Sequence, residues 1–171
     1  MPPLTLREAT RPEDLAAVRA LCAEFRLWLL ERYAAHPWII ETVYAPEAWA
    51  PLMQALPRLH APPRGAILLA ERAGRPAGCA MLQPLPEAGV AELKRMYVAP
   101  FARGTGAAAA LVEAMADLAR ARGYASLRLD TGFLQVEAMA LYRRQGFSER
   151  GPYGDPPAHM LEILRFFERP L

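Results

Sequence analysis

The sequence has little of what marks several classes of protein. It carries two cysteines in 171 residues, Cys22 and Cys79, with no CxxC spacing and no nearby histidine. We therefore expect neither a metal site nor a disulfide framework, and a reducing cytoplasm fits this cysteine usage best. Basic side chains number 20 and acidic ones 18, and Lys94 is the only lysine. This balance predicts no nucleic-acid partner and no charged tail.

Long apolar runs are missing as well. No window of the length that a bilayer requires is free of charge, and the first ten residues lack a basic region followed by an apolar one. We therefore expect no membrane segment and no signal peptide. A chain of 171 residues is long enough to bury a substantial core, so residues 1–171 are interpreted as one domain.

Hydrophobic periodicity predicts a mixed α+β chain. Alternation predicts a strand at Leu4–Glu8, and apolar residues recurring at three and four predict a long helix that ends near Tyr33. Further strands are predicted at 66–71, 77–82, 90–98, 126–131, 147–148 and 159–167, and further helices at 46–56, 104–122 and 136–145. The strands on either side of the 104–122 helix should run parallel.

A glycine-rich turn joins the 90–98 strand to the helix that follows it. The turn reads RGTGAA from Arg103 to Ala108, and no acidic residue follows before Glu113. Free backbone N–H groups and the positive end of the helix dipole favour an anion at such a place. Arg103 adds a fixed positive charge, so the turn is a candidate phosphate site.

Three other interpretations of the turn have to be compared with a phosphate site. It can be an ordinary loop before an alanine-rich core helix. A Walker A loop needs a Gly-Lys pair that is absent. Gly104, Gly106 and Ala109 do satisfy a dinucleotide fingerprint, with Asp130 ending the next strand. Five residues separate Val98 from Gly104, however, and two strands without helices between them come first, which weakens the dinucleotide interpretation.

Two motifs in this region resemble the GNAT superfamily of acyl-CoA-dependent N-acetyltransferases. Its pyrophosphate loop, Gln/Arg-x-x-Gly-x-Gly/Ala, is matched by Arg103, Gly104, Thr105, Gly106, Ala107 and Ala108, and a Val-x-Pro precedes it at residues 98–100. A second motif, Ala-x-x-Leu-Tyr with Gly-Phe after three residues, is matched at residues 138–147. The resemblance follows the element order from Leu4 to the C-terminus and is close over Glu92–Phe147.

This resemblance implies a fold and a ligand. The fold is a twisted, mostly antiparallel central sheet of six to seven strands, with a parallel pair at the cofactor cleft and about four flanking helices. The ligand is acetyl-CoA, used as a cosubstrate. By resemblance, backbone groups of Met96, Tyr97 and Val98 hold the pantetheine arm and supply an N–H to the oxyanion. Gln135, where many members carry Asn, is a further cofactor-binding candidate.

Two residues are candidates for catalysis. Tyr142 falls on the position of the general acid in many members, and the alternative is an aromatic packed beside Leu141 and Phe147. Glu92 lies six positions before Val98, the spacing of a catalytic Glu in the histone-acetyltransferase branch. It is the candidate base, and its alternative is a solvated carboxylate at a strand end. The stretch ELKRMYV carries polar residues on both faces, so one face should border a cleft.

The acceptor side is the least readable part of the sequence. Trp28, Tyr33, Trp38 and Tyr153 are aromatic candidates for its walls, and Asp130 is a candidate for an acceptor ammonium. Core packing is the alternative for Trp28, and capping of the following loop is the alternative for Asp130. The balanced charge favours a small-molecule amine as acceptor. A noncatalytic acyl-CoA-binding regulatory module is the second hypothesis, and the resemblance also leaves a homodimer open.

Overall fold

The computed structural model describes residues 2–171, which build one seven-stranded sheet. Its spatial order is β1-β2-β3-β4-β5-β7-β6. The strands are β1 (Leu4–Glu8), β2 (Ala66–Arg72), β3 (Arg75–Pro84), β4 (Val90–Val98), β5 (Ser126–Gly132), β6 (Ser148–Arg150) and β7 (Leu164–Pro170). Within the described residues β4 and β5 are the one parallel pair, and the other neighbours are antiparallel. The predicted fold class is confirmed.

Five α-helices flank the sheet in the described part of the chain, where about four were expected. They are α1 (Pro12–Arg32), α2 (Pro37–Val43), α3 (Pro46–Leu59), α4 (Ala107–Ala121) and α5 (Val136–Arg144). The additional helix is α2, which is seven residues long and too short to show a periodic pattern. Across residues 2–171, no helix combines the length and the apolar character that crossing a membrane requires.

Two predicted boundaries are wrong for identifiable reasons. Helix α4 begins at Ala107 and not at Gly104, because Gly104 and Gly106 have φ angles of 70° and 84°, outside the helical region. The strand expected from His159 begins only at Leu164. Residues Ala158–Met160 form a 3-10 turn instead, which follows two prolines and buries Met160.

Helices cover both faces of the sheet, and β3 shows why. Leu82 belongs to the apolar cluster that contains Leu111 of α4, whereas its neighbour Met81 belongs to the cluster that contains Leu21 of α1. Successive side chains of a strand point to opposite faces, so α1 and α4 lie on opposite sides. Burying each such side chain contributes roughly 1.5–3 kcal/mol, which makes this sandwich a rigid support for the elements around it.

Near its middle, strand β4 parts from β5 and changes register against β3. It pairs with β5 only from Val90 to Glu92. On its other edge Met81 faces Lys94 and Cys79 faces Tyr97, so three steps along β4 correspond to two along β3. The extra residue makes a β-bulge, and Arg95 within it has a φ of 50°. The sheet therefore opens into a wedge beyond Glu92.

Candidate functional site

Two cavities open at this wedge and share part of their walls. The larger cavity, of about 650 Å³, lies between β4, α4 and α5. The smaller cavity, of about 370 Å³, lies between α1, α2, β4, β5 and the segment before β7. Phe25, Met96, Gln135 and Tyr142 line both. Ligands in the two cavities would therefore meet at these four side chains.

The glycine-rich turn forms one end of the larger cavity. Gly104 and Gly106 adopt left-handed backbone angles, and no atom lies within 4 Å of where a Cβ would stand on either residue. The Ala110 N–H makes a helical bond to the Gly106 carbonyl at 3.0 Å, so the N–H groups of residues 107–109 have no helical acceptor. The first turn of α4 contains no acidic side chain. The free N–H groups, the positive end of the α4 dipole and the open space beside the two glycines together fit an anionic ligand.

Arg103 and Thr105 take different positions around this turn. The Arg103 Nε donates a hydrogen bond to the Val98 carbonyl at 3.0 Å, and its guanidinium lies 5.5 Å from the ring centroid of Trp28. Its positive charge is thus held at the wall of the larger cavity, which Arg103 lines. The Thr105 hydroxyl donates back to the Ala102 carbonyl at 2.6 Å, and Thr105 is not among the lining residues.

The other predicted cofactor residues lie together along the larger cavity. Met96, Tyr97 and Val98 line it on the stretch of β4 that no longer pairs with β5. An unpaired strand edge exposes backbone donors and acceptors. Gln135 caps α5 at the junction of the cavities, and its side-chain oxygen accepts a hydrogen bond from the Gly132 N–H at 2.9 Å.

Tyr142 lies at that junction on α5. Its ring packs 5.8 Å from that of Phe147 and 6.0 Å from that of Phe167, centroid to centroid. Its hydroxyl has no hydrogen-bond partner in the described part of the chain. Burial, followed by the nearby charge of Asp130, raises the pKa of Tyr142 well above its usual value. The side chain is therefore both a packed aromatic and a protonated phenol beside two cavities.

Glu92 lies beside the smaller cavity without lining it. Its carboxylate is buried, and it accepts hydrogen bonds from the Tyr153 hydroxyl and from the Gln83 amide, both at 2.8 Å. Lys94 Nζ approaches the same carboxylate at 3.4 Å. Burial and the charge of Glu92 raise the pKa of Tyr153, which keeps its hydroxyl a donor. Glu92 is thus not a solvated strand-end residue, and its role as base stays a prediction.

Charged side chains form one wall of the smaller cavity. Lys94 Nζ lies 3.1 Å from Asp130 Oδ2, and both residues line the cavity together with Arg95. Burial lowers the pKa of Lys94, but Asp130 and Glu92 outweigh it and the net shift is upward. Simple alternation along β4 places Lys94 and Arg95 on opposite faces. The bulge brings both to one cavity, which no local sequence signal reveals.

The predicted aromatic residues are divided between several places. Tyr33 is buried and lines the smaller cavity, and its hydroxyl accepts a hydrogen bond from the Leu134 N–H at 3.3 Å. Trp28 lines the larger cavity instead. Trp38 lines neither cavity, is 42% exposed and packs on the ring of His159. Tyr153 also lines neither and holds Glu92.

Sequence reasoning missed most of the apolar wall of the smaller cavity. This wall comes from α1, α2 and the segment before β7, and its members include Leu29, Ile39, Ile40, Met160, Ile163 and Leu164. Leu29 stood in the predicted stripe of the first helix. Ile39 and Ile40 lie in a stretch whose pattern is interrupted by prolines, and the other three lie in the segment 159–167 that was predicted as a strand. The only signal for a cavity wall was therefore apolar composition.

Comparison with known proteins agrees with this geometry. Residues 23–147 match the family model described as Acetyltransferase (GNAT) family. An IAA acetyltransferase of Azospirillum brasilense is 43% identical over 104 residues, which cover 61% of this chain and 67% of that protein. N-acetyltransferase 8B of Mus musculus is 32% identical over 138 residues, which cover 78% of this chain and 58% of that protein.

A solved structure extends the likeness to the fold of the whole chain. The PaiA N-acetyltransferase of Thermoplasma acidophilum, in complex with coenzyme A, superposes with a TM-score of 0.75 at 18% identity and covers 99% of each chain. The matched segments span about two thirds of the A. brasilense relative and less than two thirds of the mouse one. On the family match and these relatives, the chain belongs to the GNAT family of acetyltransferases.

Proposed function

We propose that this protein transfers the acetyl group of acetyl-CoA to the amine of a small molecule, by direct attack while both substrates are bound. The observation that carries the proposal is the meeting of the larger and smaller cavities at Phe25, Met96, Gln135 and Tyr142. A donor in one cavity and an acceptor in the other need no covalent enzyme intermediate. Both volumes fall within the range of about 300–1,000 Å³ that is usual for small-molecule sites.

The larger cavity fits the donor. The N–H groups at the start of α4 and the Arg103 guanidinium suit a pyrophosphate, and Gly104 and Gly106 leave space for its close approach. Bound there, acetyl-CoA supplies the activated thioester. The unpaired edge of β4 at Met96, Tyr97 and Val98 suits the amides of an extended pantetheine arm, as an added strand would. Backbone N–H groups on this edge would also stabilise charge on the thioester oxygen.

Tyr142 is the proposed general acid. Tyr142 lines both cavities where they join, and its hydroxyl has no protein partner in the described chain and remains protonated because burial raises its pKa. A phenol in that state can donate a proton to the sulfur that leaves as the C–S bond breaks. Packing against Phe147 and Phe167 fixes the ring and so aims the hydroxyl.

Asp130 and Glu92 have different proposed roles on the acceptor side. Amines with a pKa near 10 are mostly protonated at neutral pH, so the acceptor arrives as an ammonium and must lose a proton. Asp130 lines the smaller cavity and can hold that ammonium. Glu92 does not line the cavity and contacts Lys94, which does, so we propose that it positions Lys94 and Asp130, while the proton leaves through water in the cavity.

The test is an assay of coenzyme A thiol release from acetyl-CoA over a panel of small amines. We expect release that depends on both substrates and a thermal shift with acetyl-CoA or coenzyme A but not with NAD. A thermal shift without release for any amine would favour the noncatalytic binding module. Stabilisation by NAD and none by acetyl-CoA would contradict the proposal altogether.

A further inference from the structure

Arg95 brings an uncompensated positive charge to the smaller cavity. In residues 2–171 no carboxylate oxygen lies within 4.0 Å of its guanidinium, whereas Lys94 beside it is paired with both Glu92 and Asp130. The Arg95 Nε is buried and has no hydrogen-bond partner in the described chain. A half-buried guanidinium retains a strong preference for an anion with which it can form charge-assisted hydrogen bonds.

The backbone holds Arg95 in place at some cost. Its φ of 50° is a left-handed angle that non-glycine residues rarely adopt, because Cβ then crowds the neighbouring backbone. The Arg95 carbonyl accepts a weak hydrogen bond from the Cys79 thiol at 3.7 Å. Strained residues of this kind cluster at ligand-binding sites, where the surrounding structure enforces them.

His60 fixes the guanidinium without neutralising it. The His60 ring is buried at the end of α3, and its Nδ1 donates to the Leu82 carbonyl at 3.1 Å. Its Nε2 is then left to accept a hydrogen bond from Arg95 Nη1 at 3.3 Å. An acidic partner would cancel the charge of Arg95, whereas this neutral imidazole orients it and leaves the charge available.

The rest of the smaller cavity limits what the anion can be attached to. Its walls at Leu29, Ile40, Met160 and Ile163 are apolar, and its volume of about 370 Å³ admits a small molecule only. Asp130 supplies a negative group in the same cavity. Lys94 also lines the cavity, but it is already paired with Glu92 and Asp130, so Arg95 is the cation left for a ligand anion. Arg95, the carboxylate of Asp130 and the apolar wall together match a ligand that has an anion, an ammonium and an apolar body.

We propose that the acceptor is a hydrophobic α-amino acid, whose carboxylate binds Arg95 while its side chain occupies the apolar part of the smaller cavity. This inference rests on the proposed function and names its substrate class. In the reaction the amino nitrogen, after losing its proton to water, forms the bond to the acetyl carbon. The C–S bond breaks and the sulfur takes the Tyr142 proton. The second nitrogen proton is lost to solvent, and Tyr142 takes a proton back from solvent before the next turnover.

The experiment compares acceptors that differ only at the carboxylate. The first series is L-phenylalanine, L-phenylalaninamide and 2-phenylethylamine, and a second is L-leucine, L-leucinamide and isopentylamine. Thiol release is measured at saturating acetyl-CoA. We expect kcat/KM for the amino acid that is the better acceptor of the two to exceed kcat/KM for its amide by about tenfold or more. The reason is that charge-assisted hydrogen bonds to a carboxylate are stronger than hydrogen bonds to a neutral amide. The α-amine of the amide is less basic than that of the amino acid, so more of it is unprotonated at neutral pH. This difference favours the amide and therefore works against the expected preference.

Variants assign the preference to Arg95. Arg95→Gln should lower kcat/KM for the acid by about tenfold or more through KM, and change the amide by less than about threefold, so that the preference disappears. Arg58→Gln is the matched control, because Arg58 is exposed on α3 and lines neither cavity. It should leave both substrates unchanged.

The outcomes separate this inference from the function on which it rests. Turnover of simple amines with no preference for the acid in wild-type protein would overturn the inference and leave the acetyltransferase proposal intact. A uniform loss of activity on all three acceptors in Arg95→Gln would also overturn it, since that result indicates a structural role. Failure of every amine to release coenzyme A would instead contradict the proposed function.

Discussion

Lys94 Nζ lies 3.1 Å from Asp130 Oδ2 and so links β4 to β5 beyond the point where their backbones stop pairing. Backbone pairing ends at Glu92, and this ion pair spans the opening of the wedge. Glu92 approaches the same ammonium from the other side at 3.4 Å. Lys94 therefore connects the buried carboxylate of Glu92 with the carboxylate of Asp130, which lines the smaller cavity. Glu92 can act through this contact by positioning Lys94, or it can act as the base.

Glu92→Gln tests whether Glu92 positions Lys94 or removes the acceptor proton. Because Gln keeps the size and can still accept from Tyr153, we expect kcat to fall by less than about tenfold, with the shape of the pH profile unchanged. A general base contributes roughly 10²–10⁴-fold, so a loss of that size together with loss of the acidic limb of kcat would establish the base instead. Lys94→Met breaks the contacts of Lys94 with Glu92 and Asp130. If Glu92 acts by positioning Lys94, this variant should also lower kcat by less than about tenfold.

Tyr142→Phe removes the proposed proton donor and keeps the packed ring. We expect kcat to fall by roughly 10²–10⁴-fold, while KM for acetyl-CoA and the thermal midpoint change little. Because the pKa of Tyr142 is raised well above its usual value, the wild-type rate should show no basic limb from this group below pH 9. Phe147→Leu is a comparison that disturbs packing alone. Unchanged turnover in Tyr142→Phe at every pH would show that Tyr142 contributes only through packing and is not the general acid.

Ala109→Glu tests the anion site at the start of α4. Ala109 lines the larger cavity in the first helical turn, where a carboxylate should repel the donor pyrophosphate. We expect KM for acetyl-CoA to rise by about tenfold or more, because like charges roughly 4 Å apart repel by several kcal/mol at an effective dielectric of about 20.

Stability and two control variants separate charge from damage to the helix. A carboxylate near a helix N-terminus stabilises it by roughly 0.3–1 kcal/mol, so Ala109→Glu should unfold no more readily than wild type. Ala109→Gln has the same size without the charge, and Ala110→Glu lies one residue beyond the cavity lining. Similar KM values in Ala109→Glu and Ala109→Gln would indicate steric obstruction.

His60 makes stability depend on pH in a defined window. Burial, with the charges of Arg95 and Lys94, lowers its pKa from 6.5 to about 4. Between these values the unfolded chain binds more protons than the folded one, so the free energy of unfolding falls as pH drops from 6.5 to 4. The free energy of unfolding should be lower below pH 4 than above pH 6.5 by an amount on the order of 3 kcal/mol.

Chemical denaturation at pH 7 and at pH 4.5 measures this effect. His60→Asn keeps a donor for the Leu82 carbonyl and removes the titrating ring, so its stability should change less over that interval. His159→Asn is a matched control, because His159 lies at the exposed surface against Trp38. An equal pH dependence of the free energy of unfolding in wild type and in His60→Asn would show that His60 does not cause it.

The sequence alone determined the order and type of most elements and the position of the glycine-rich turn before α4. Those features are local. Alternation identified β1, periodicity identified α1, and the glycines at 104 and 106 with the missing early acid indicated an anion site. Tyr142 was singled out by the resemblance to a family motif, and that motif is local because it lies within one helix and the turn after it.

Only the tertiary structure decided which side chains face the acceptor. The bulge of β4 arises from its register against β3, so it brings Lys94 and Arg95 to one cavity although alternation separates them. Burial of Glu92 depends on Tyr153, which is 61 residues away along the chain. Long-range pairing sets both arrangements, and a local pattern carries no information on which distant residue completes a site.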